Sequence, residues 1–226
     1  MTRIAFLHTA DVHIRTFDDL LADLAPNVSP SHTVRAGWLA EARETGMTSD
    51  LRARVRGLLA EAVEAADGVL CTCSTLGPVV DDMAASHPNV ARIDRPMMER
   101  AAGHDGTLLV AYCLGSTLDP TLELLRGVLR ERARDNSVVP VSCAAAWQFF
   151  ESGDRDEFAE TIARQVTAAV GAEAGTGCVV LAQAQAAMAA AEPLLVDHGV
   201  AVYSSPRPAV EAVLAAANDR PSSRRE

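Results

Sequence analysis

The strongest constraint on the fold is an alternation of short apolar runs with longer segments of helical periodicity. Continuous apolar runs of this length are typical of parallel strands that are buried on both faces. Between them, Asp50–Ala66 predicts a long helix, because Leu51 and Val55 recur on one face. This alternation predicts an α/β protein. The predicted strands are Ile4–His8, Ser31–Val34, Gly68–Cys73, Val90–Asp94, Thr107–Cys113, Val138–Ser142, Cys178–Gln183 and Val200–Ser204.

The sequence also contains a weak internal repeat. Displaced by about half of the chain, Val69-Leu70 falls on Val179-Val180, and Cys73 falls on Gln183. The repeat predicts two pseudo-symmetric halves, each a four-stranded parallel sheet flanked by helices. We expect the first half to comprise residues 1–103 and 207–226, and the second to comprise residues 104–206. Since ligands bind beyond the carboxyl ends of parallel strands, we expect an active-site cleft between the halves.

Charge and composition exclude several classes of function. The chain has 20 basic and 30 acidic residues and a net charge of −10, which argues against a nucleic-acid partner. All of the basic residues are arginine, so no lysine is present for a Schiff base with pyridoxal phosphate or for a P-loop. No apolar run is long enough to span a membrane, and no signal-peptide pattern is present. We therefore expect a cytoplasmic protein without a membrane partner.

The most informative segment is the buried run that ends in Cys73-Ser74-Thr75, just before a helix expected near Pro78. A thiol at that position meets the N-terminal end of a helix, whose partial positive charge favours the thiolate. The hydroxyls of Ser74 and Thr75, together with backbone N–H groups, suit a carboxylate. His8 ends the first predicted strand and Thr9 follows it, so we expect both at the carboxyl end of the same sheet.

Cys73-Ser74-Thr75 resembles the Cys-Asn-Thr-like motif of the aspartate/glutamate/hydantoin racemase superfamily, in which a cysteine ends the third strand of each half. The similarity covers roughly residues 3–215, through Arg92-Ile-Asp-Arg-Pro-Met97, Ser116-Thr117-Leu118-Asp119-Pro120-Thr121, Val180-Leu-Ala-Gln-Ala184 and Ser204-Ser205-Pro206. The resemblance implies a cofactor-free enzyme in which the Cys73 thiolate moves a proton at the carbon α to a carboxylate. The substrate-binding residues that it implies are His8, Thr9, Ser74, Thr75, Ser116 and Thr117.

One position departs from the family pattern. Gln183 stands where the family has its second cysteine, and glutamine is not a base. Cys178 lies too far back along the same strand to replace it. Cys113, at the end of a neighbouring strand, either supplies the second base or packs in the core.

Three functions therefore stay open. The first is a racemase that acts on aspartate, glutamate or a related small acid. The second is a one-cysteine decarboxylase or isomerase of the same superfamily. The third is a protein that binds a carboxylate without catalysis. In each case we expect a small carboxylate-bearing ligand, and a homodimer is left open.

A competing motif lies near the N-terminus. Asp11-Val12-His13 follows the first predicted strand, as a metal-binding Asp-x-His does in calcineurin-like metallophosphoesterases. The later histidine motifs of that fold do not occur in the sequence, and the five cysteines form no CxxC pair. We therefore expect no metal, and the resemblance to the racemase superfamily implies that no cofactor is needed.

Overall fold

Two four-stranded parallel sheets form the framework of the protein. A computed structural model describes residues 1–181 and 189–219. The first sheet consists of β1 (Arg3–His8), β2 (Ser29–Val34), β3 (Gly68–Cys71) and β4 (Val90–Arg92). The second consists of β5 (Thr107–Tyr112), β6 (Val138–Ser142), β7 (Thr176–Leu181) and β8 (Ala201–Ser204). These strands confirm the predicted fold class, and each overlaps one of the predicted runs.

The two sheets have the same topology, with the orders β2-β1-β3-β4 and β6-β5-β7-β8. All of their strand pairs are parallel. The first and third strands of each sheet are neighbours, as expected. Cys73 follows β3, and its repeat partner Gln183 would follow β7, but Gln183 lies outside the described residues.

Helices connect the strands. They are α1 (His13–Leu24), α2 (Ala36–Thr45), α3 (Ser49–Ala65), α4 (Gly77–Ala84), α5 (Arg95–Ala101), α6 (Gly115–Glu131), α7 (Trp147–Ser152), α8 (Arg155–Ala172) and α9 (Pro206–Asn218). Short 3-10 helices occur at Ser74–Leu76, Ala144–Ala146 and Ala189–His198. Helix α3 confirms the prediction for residues 50–66, and Thr48 caps it by accepting a hydrogen bond from the Leu51 N–H at 3.2 Å. Among the described residues, no helix combines the length and apolarity that a membrane crossing requires.

The chain divides into two compact units. One holds Met1–Ile93 together with the chain from Arg207 onward, and the other holds Asp94–Pro206. The sequence placed this boundary after residue 103 instead. The difference comes from α5, whose buried side chains Met97 and Met98 share a core cluster with Leu108 of β5. Because the apolar face of α5 packs against β5, residues 94–103 belong to the second unit.

Helices cover both faces of the sheet in the first unit. Helices α2, α3 and α4 pack on the face that holds Leu7, Cys71 and Cys73. Helices α1 and α9 pack on the opposite face, which holds Phe6. Since successive strand residues point to opposite faces, His8 lies on the face of α1 and Cys73 on the face of α3.

The second unit has the same layered arrangement. Helices α5 and α6 pack on the face that holds Val110 and Cys178. Helices α7 and α8 pack on the other face, which holds Leu109 and Cys113. Burying both faces explains why β5 and β7 read as continuous apolar runs.

Candidate active site

Cys73 stands where a strand gives way to a helical segment. It directly precedes the 3-10 helix Ser74–Leu76, which continues into α4 at Gly77. Its backbone is extended, with φ −115° and ψ 112°, and its carbonyl accepts a hydrogen bond from the Leu76 N–H at 3.1 Å. The residue is 6% exposed. Cys73 therefore stands between a strand and a helical segment as predicted, although β3 ends two residues earlier than expected, and its catalytic role stays a prediction.

Hydroxyl groups lie near Cys73, at the carboxyl ends of the strands of the first sheet. Leu7 pairs with Cys71 in the register of β1 and β3, so Thr9 and Cys73 both follow just beyond this pair. Thr9 is buried, whereas Ser74 and Thr75 are half-buried. These hydroxyls are groups that can donate hydrogen bonds to a carboxylate.

The other two predicted hydroxyl residues lie in the second unit, in the first turn of α6. Thr117 Oγ1 donates to the Leu114 carbonyl at 2.8 Å, so this hydroxyl serves the start of its own helix. Ser116 lies in the same turn, but its side chain is outside what the structure describes. The roles of both residues in substrate binding stay predictions.

The ring of His8 is fully occupied within the protein. His8 is 0% exposed, its Nδ1 lies 2.9 Å from Thr72 Oγ1, and its Nε2 lies 2.8 Å from His32 Nδ1. Burial lowers the pKa of His8 to about 3, and nearby His32 and His13 contribute in the same direction. The sequence led us to expect a substrate contact from His8. The structure instead gives it a neutral, internally bonded ring, because its side chain turns into the core face of α1.

The thiols of the second unit are deeply buried. Cys113 is 2% exposed and Cys143 is 0% exposed, in one apolar cluster against α8. Burial raises the pKa of Cys113 to about 12, with a further contribution from Cys143, whose own pKa burial raises to about 12. Burial likewise raises the pKa of Cys178 to about 12. A thiol with such a pKa is not ionised near pH 7, which favours packing over acid–base chemistry for Cys113.

One feature that the sequence analysis did not predict is a partly buried ion pair between Arg92 and α4. Arg92 Nη1 lies 2.5 Å from Asp81 Oδ2, and the Arg92 side chain is 4% exposed. A Cβ atom added to Gly77 would lie 2.3 Å from Arg92 Cζ. Glycine at this position therefore makes room for a guanidinium group against the helix that follows Cys73. An arginine at the end of an apolar run was the only sequence signal for it.

A second unexpected feature continues from His8 towards solvent. His32 Nε2 lies 3.0 Å from Asp18 Oδ1, which extends the contacts of His8 to a carboxylate on α1. His13 is nearby, and burial lowers its pKa against an opposing contribution from Asp11. Within residues 1–181 and 189–219, no group of three or more His, Cys, Asp or Glu side chains is arranged to hold a metal ion.

Comparison with solved structures gives likenesses over nearly the whole chain at low identity. The aspartate racemase of Picrophilus torridus superposes with a TM-score of 0.63 at 14% identity, over 97% of this chain and 96% of that chain. The glutamate racemase of Francisella tularensis superposes with a TM-score of 0.66 at 12% identity, over 95% of this chain and 80% of that chain. Unliganded arylmalonate decarboxylase superposes with a TM-score of 0.55 at 16% identity, over 98% of this chain and 95% of that chain.

These structures belong to the aspartate/glutamate/hydantoin racemase superfamily, and this chain has the fold of that superfamily. The fold that the motif resemblance implied is thereby confirmed. No family model and no curated protein matches the sequence.

Proposed function

We propose that the protein is a cofactor-independent enzyme of the racemase type, which moves a proton at the carbon α to the carboxylate of a small acid. The observation that carries this proposal is the position of Cys73. The residue lies between the carboxyl end of β3 and the helical segment that leads into α4, in a chain with the racemase fold. The N-terminal end of a helical segment favours negative charge, which suits both a thiolate and a carboxylate.

In the proposed step, the Cys73 thiolate takes the proton from the α-carbon. The electrons of the broken C–H bond move into the carboxyl group and form an enediolate. The hydroxyls of Thr9, Ser74 and Thr75 stabilise this charge by donating hydrogen bonds. The Cys73 thiol then returns a proton to the carbon, and return to the same face restores the original enantiomer. Inversion requires a second acid on the opposite face.

A one-cysteine reaction is the second candidate, and the thiols of the second unit favour it. The pKa of Cys113 is raised to about 12, so this residue is a poor second base near pH 7. Gln183 has an amide side chain, which does not accept a proton near pH 7. In a decarboxylation, the bond to one carboxylate breaks, carbon dioxide leaves, and the Cys73 thiol donates its proton to the resulting enediolate. One thiol is sufficient for this chemistry.

Solvent-deuterium exchange tests the proposal. The purified chain is incubated in D₂O with each enantiomer of aspartate and of glutamate, with a 5-substituted hydantoin, and with an arylmalonate. Proton NMR measures loss of the α-proton signal and product formation, and chiral chromatography measures inversion. Exchange with inversion supports a racemase. Exchange without inversion, or release of carbon dioxide, supports the one-cysteine reaction.

The Cys73→Ser variant links any turnover to the thiol. We expect this variant to lose at least about 10²-fold in rate, since a serine hydroxyl is a far weaker acid than a thiol. Cys113→Ala is the matched control, because it removes a buried thiol that the proposal does not use. Equal activity of Cys73→Ser and the wild type would contradict the proposed role. Binding of these acids without exchange or product would instead identify a non-catalytic carboxylate-binding protein.

A further inference from the structure

A chain of hydrogen-bonded side chains crosses the first unit from helix α1 to the residue before Cys73. Asp18 Oδ1 lies 3.0 Å from His32 Nε2, His32 Nδ1 lies 2.8 Å from His8 Nε2, and His8 Nδ1 lies 2.9 Å from Thr72 Oγ1. We name these four side chains the histidine relay. The side chain of Asp18 is 46% exposed and that of His32 is 13% exposed, whereas His8 is 0% exposed. The relay therefore leads from solvent into the core.

The two imidazole rings are held in line. Their centroids are 5.1 Å apart and their planes differ by 12°, while the facing nitrogens are 2.8 Å apart. The rings therefore meet edge to edge in nearly one plane, which is a favourable direction for an N–H···N hydrogen bond. Phe6 lies parallel to both rings, at 5.8 Å from His8 and 5.0 Å from His32. This packing restricts ring rotation, so the relay adapts by moving protons.

When both histidines are neutral, one arrangement of hydrogens satisfies every contact among the four relay side chains, and it leaves the 3.2 Å contact between Thr72 Oγ1 and the Leu7 carbonyl without a hydrogen. The Thr72 hydroxyl donates to His8 Nδ1, and His8 Nε2–H donates to His32 Nδ1. His32 Nε2–H then donates to the Asp18 carboxylate. In this state, both histidines carry their hydrogen on Nε2.

One added proton reverses the two inner hydrogen bonds of the relay, those of His8 with His32 and with Thr72, and leaves the bond from His32 to Asp18 as it was. An imidazolium at His32 donates from Nε2 to Asp18 and from Nδ1 to His8 Nε2. His8 then carries its single hydrogen on Nδ1 and donates it to Thr72 Oγ1. The Thr72 hydroxyl turns to the Leu7 carbonyl, which lies 3.2 Å away. Every contact is satisfied again, and His8 stays neutral but changes its tautomer.

We propose that the histidine relay stores one proton on His32 and converts this uptake into a reversal of hydrogen-bond direction at Thr72, directly before Cys73. The Leu7 carbonyl already accepts the Thr72 N–H at 2.9 Å, so the protonated state adds a second bond between the ends of β1 and β3. The relay residues are positioning residues for this strand end. The inference goes beyond the proposed function and holds whether or not Cys73 is catalytic.

Two further observations place the added proton on His32. Burial opposes a charge on His8, whose pKa is lowered to about 3. Asp18 offers its carboxylate only to the outer ring, that of His32. The remaining ionisable or charged groups on the elements around the relay are Arg3 of β1, Cys71 of β3, whose side chain packs on the opposite face of the sheet, Arg15, Asp19, Asp23 and His13 of α1, Asp11 before it, and Arg207 and Glu211 of α9. Of these, His13 has its ring 6.3 Å from that of His8, and burial holds its pKa below the ordinary value, so it adds little charge there at neutral pH.

Nitrogen NMR of the full chain tests the proposal. Protein labelled with ¹⁵N-histidine is titrated from pH 8 to pH 5, and single His→Gln variants assign the ring signals. We expect His8 to pass from the Nε2–H to the Nδ1–H tautomer at the pH at which His32 becomes an imidazolium. The proposal is overturned if His8 keeps one tautomer throughout, if His8 itself becomes charged first, or if His32 stays neutral.

A pair of aspartate variants separates the relay from general surface charge. Asp18→Asn removes the carboxylate that faces His32, so both the His32 transition and the His8 tautomer change should move to lower pH. Asp19→Asn is the matched control on the same helix, since Asp19 is 75% exposed and faces Arg15 at 3.8 Å. Equal shifts in the two variants, or none in Asp18→Asn, would also overturn the proposal. Neither readout measures turnover, so failure here is distinct from failure of the proposed function.

Discussion

Acid should destabilise this protein through the buried ring of His8. His8 is 0% exposed, and burial lowers its pKa from 6.5 to about 3. Below pH 6.5 the unfolded chain therefore binds a proton at this residue, whereas the folded protein does not until about pH 3. Since the unfolded state binds more protons in this window, stability falls as the pH falls. Above pH 6.5 the ring is neutral in both states, and the effect vanishes.

The size of the effect follows from the linkage of one proton. Each pH unit inside the window lowers the free energy of unfolding by about 1.4 kcal/mol. From pH 7 to pH 4.5, the contribution of His8 amounts to about 2.5 kcal/mol. Domains are stabilised by only about 5–15 kcal/mol in total, so a loss of this size is readily measured.

Urea unfolding of the wild type and of His8→Gln at several pH values tests this contribution. At pH 7 the variant should be less stable by roughly 1–3 kcal/mol, because it leaves the buried partners of His8 unsatisfied. At pH 4.5 that difference should have narrowed by about 2.5 kcal/mol, because the variant has no ring to protonate on unfolding. His87→Gln, which removes a half-buried histidine outside the relay, is the matched control. A difference between wild type and His8→Gln that is independent of pH would refute the reasoning.

Three further predictions follow from the packing. In urea unfolding, Gly77→Ala should lower the free energy of unfolding by roughly 1–3 kcal/mol, because the added Cβ would overlap the guanidinium of Arg92. Gly57→Ala, in the middle of α3 where nothing lies near the added Cβ, should raise the free energy of unfolding by about 0.5–1 kcal/mol. With iodoacetamide at pH 7.5, mass spectrometry should find Cys73 alkylated first, and faster modification of any thiol with a raised pKa would contradict the assignment. Those thiols are Cys113, Cys143 and Cys178. Thr48→Ala should cost about 1 kcal/mol in thermal unfolding because it removes the cap of α3, and an unchanged melting temperature would show that the cap contributes nothing.

Local patterns predicted the framework of the protein because they act over a few neighbouring residues. The strand Thr107–Tyr112 reads as an apolar run because helices cover both of its faces. Helix α3 was predicted because its apolar residues recur at helical spacing. Helix α5 was not predicted, because its seven residues are too few to show a helical period. For this reason the boundary between the units was expected after residue 103, whereas the second unit begins at Asp94.

The polar contacts could not be predicted in the same way. His8 looked like a substrate ligand because it ends a strand, and nothing nearby in the sequence indicates that His32 and Thr72 occupy both of its nitrogens. Arg92 meets Gly77 only because parallel pairing of β3 with β4 places Cys71 opposite Arg92. Such contacts depend on strand register, which joins residues that are distant along the chain.

The sequence by itself determined the α/β alternation, the absence of lysine chemistry, and the position of Cys73 where a strand meets a helix. These properties follow from composition and from short-range periodicity. Only the tertiary structure decided that His8 is neutral and internally bonded, and that Cys113 is a packed thiol with a raised pKa. The physical reason is that burial and neighbouring groups determine the charge of an ionisable side chain, and both are properties of the packed chain.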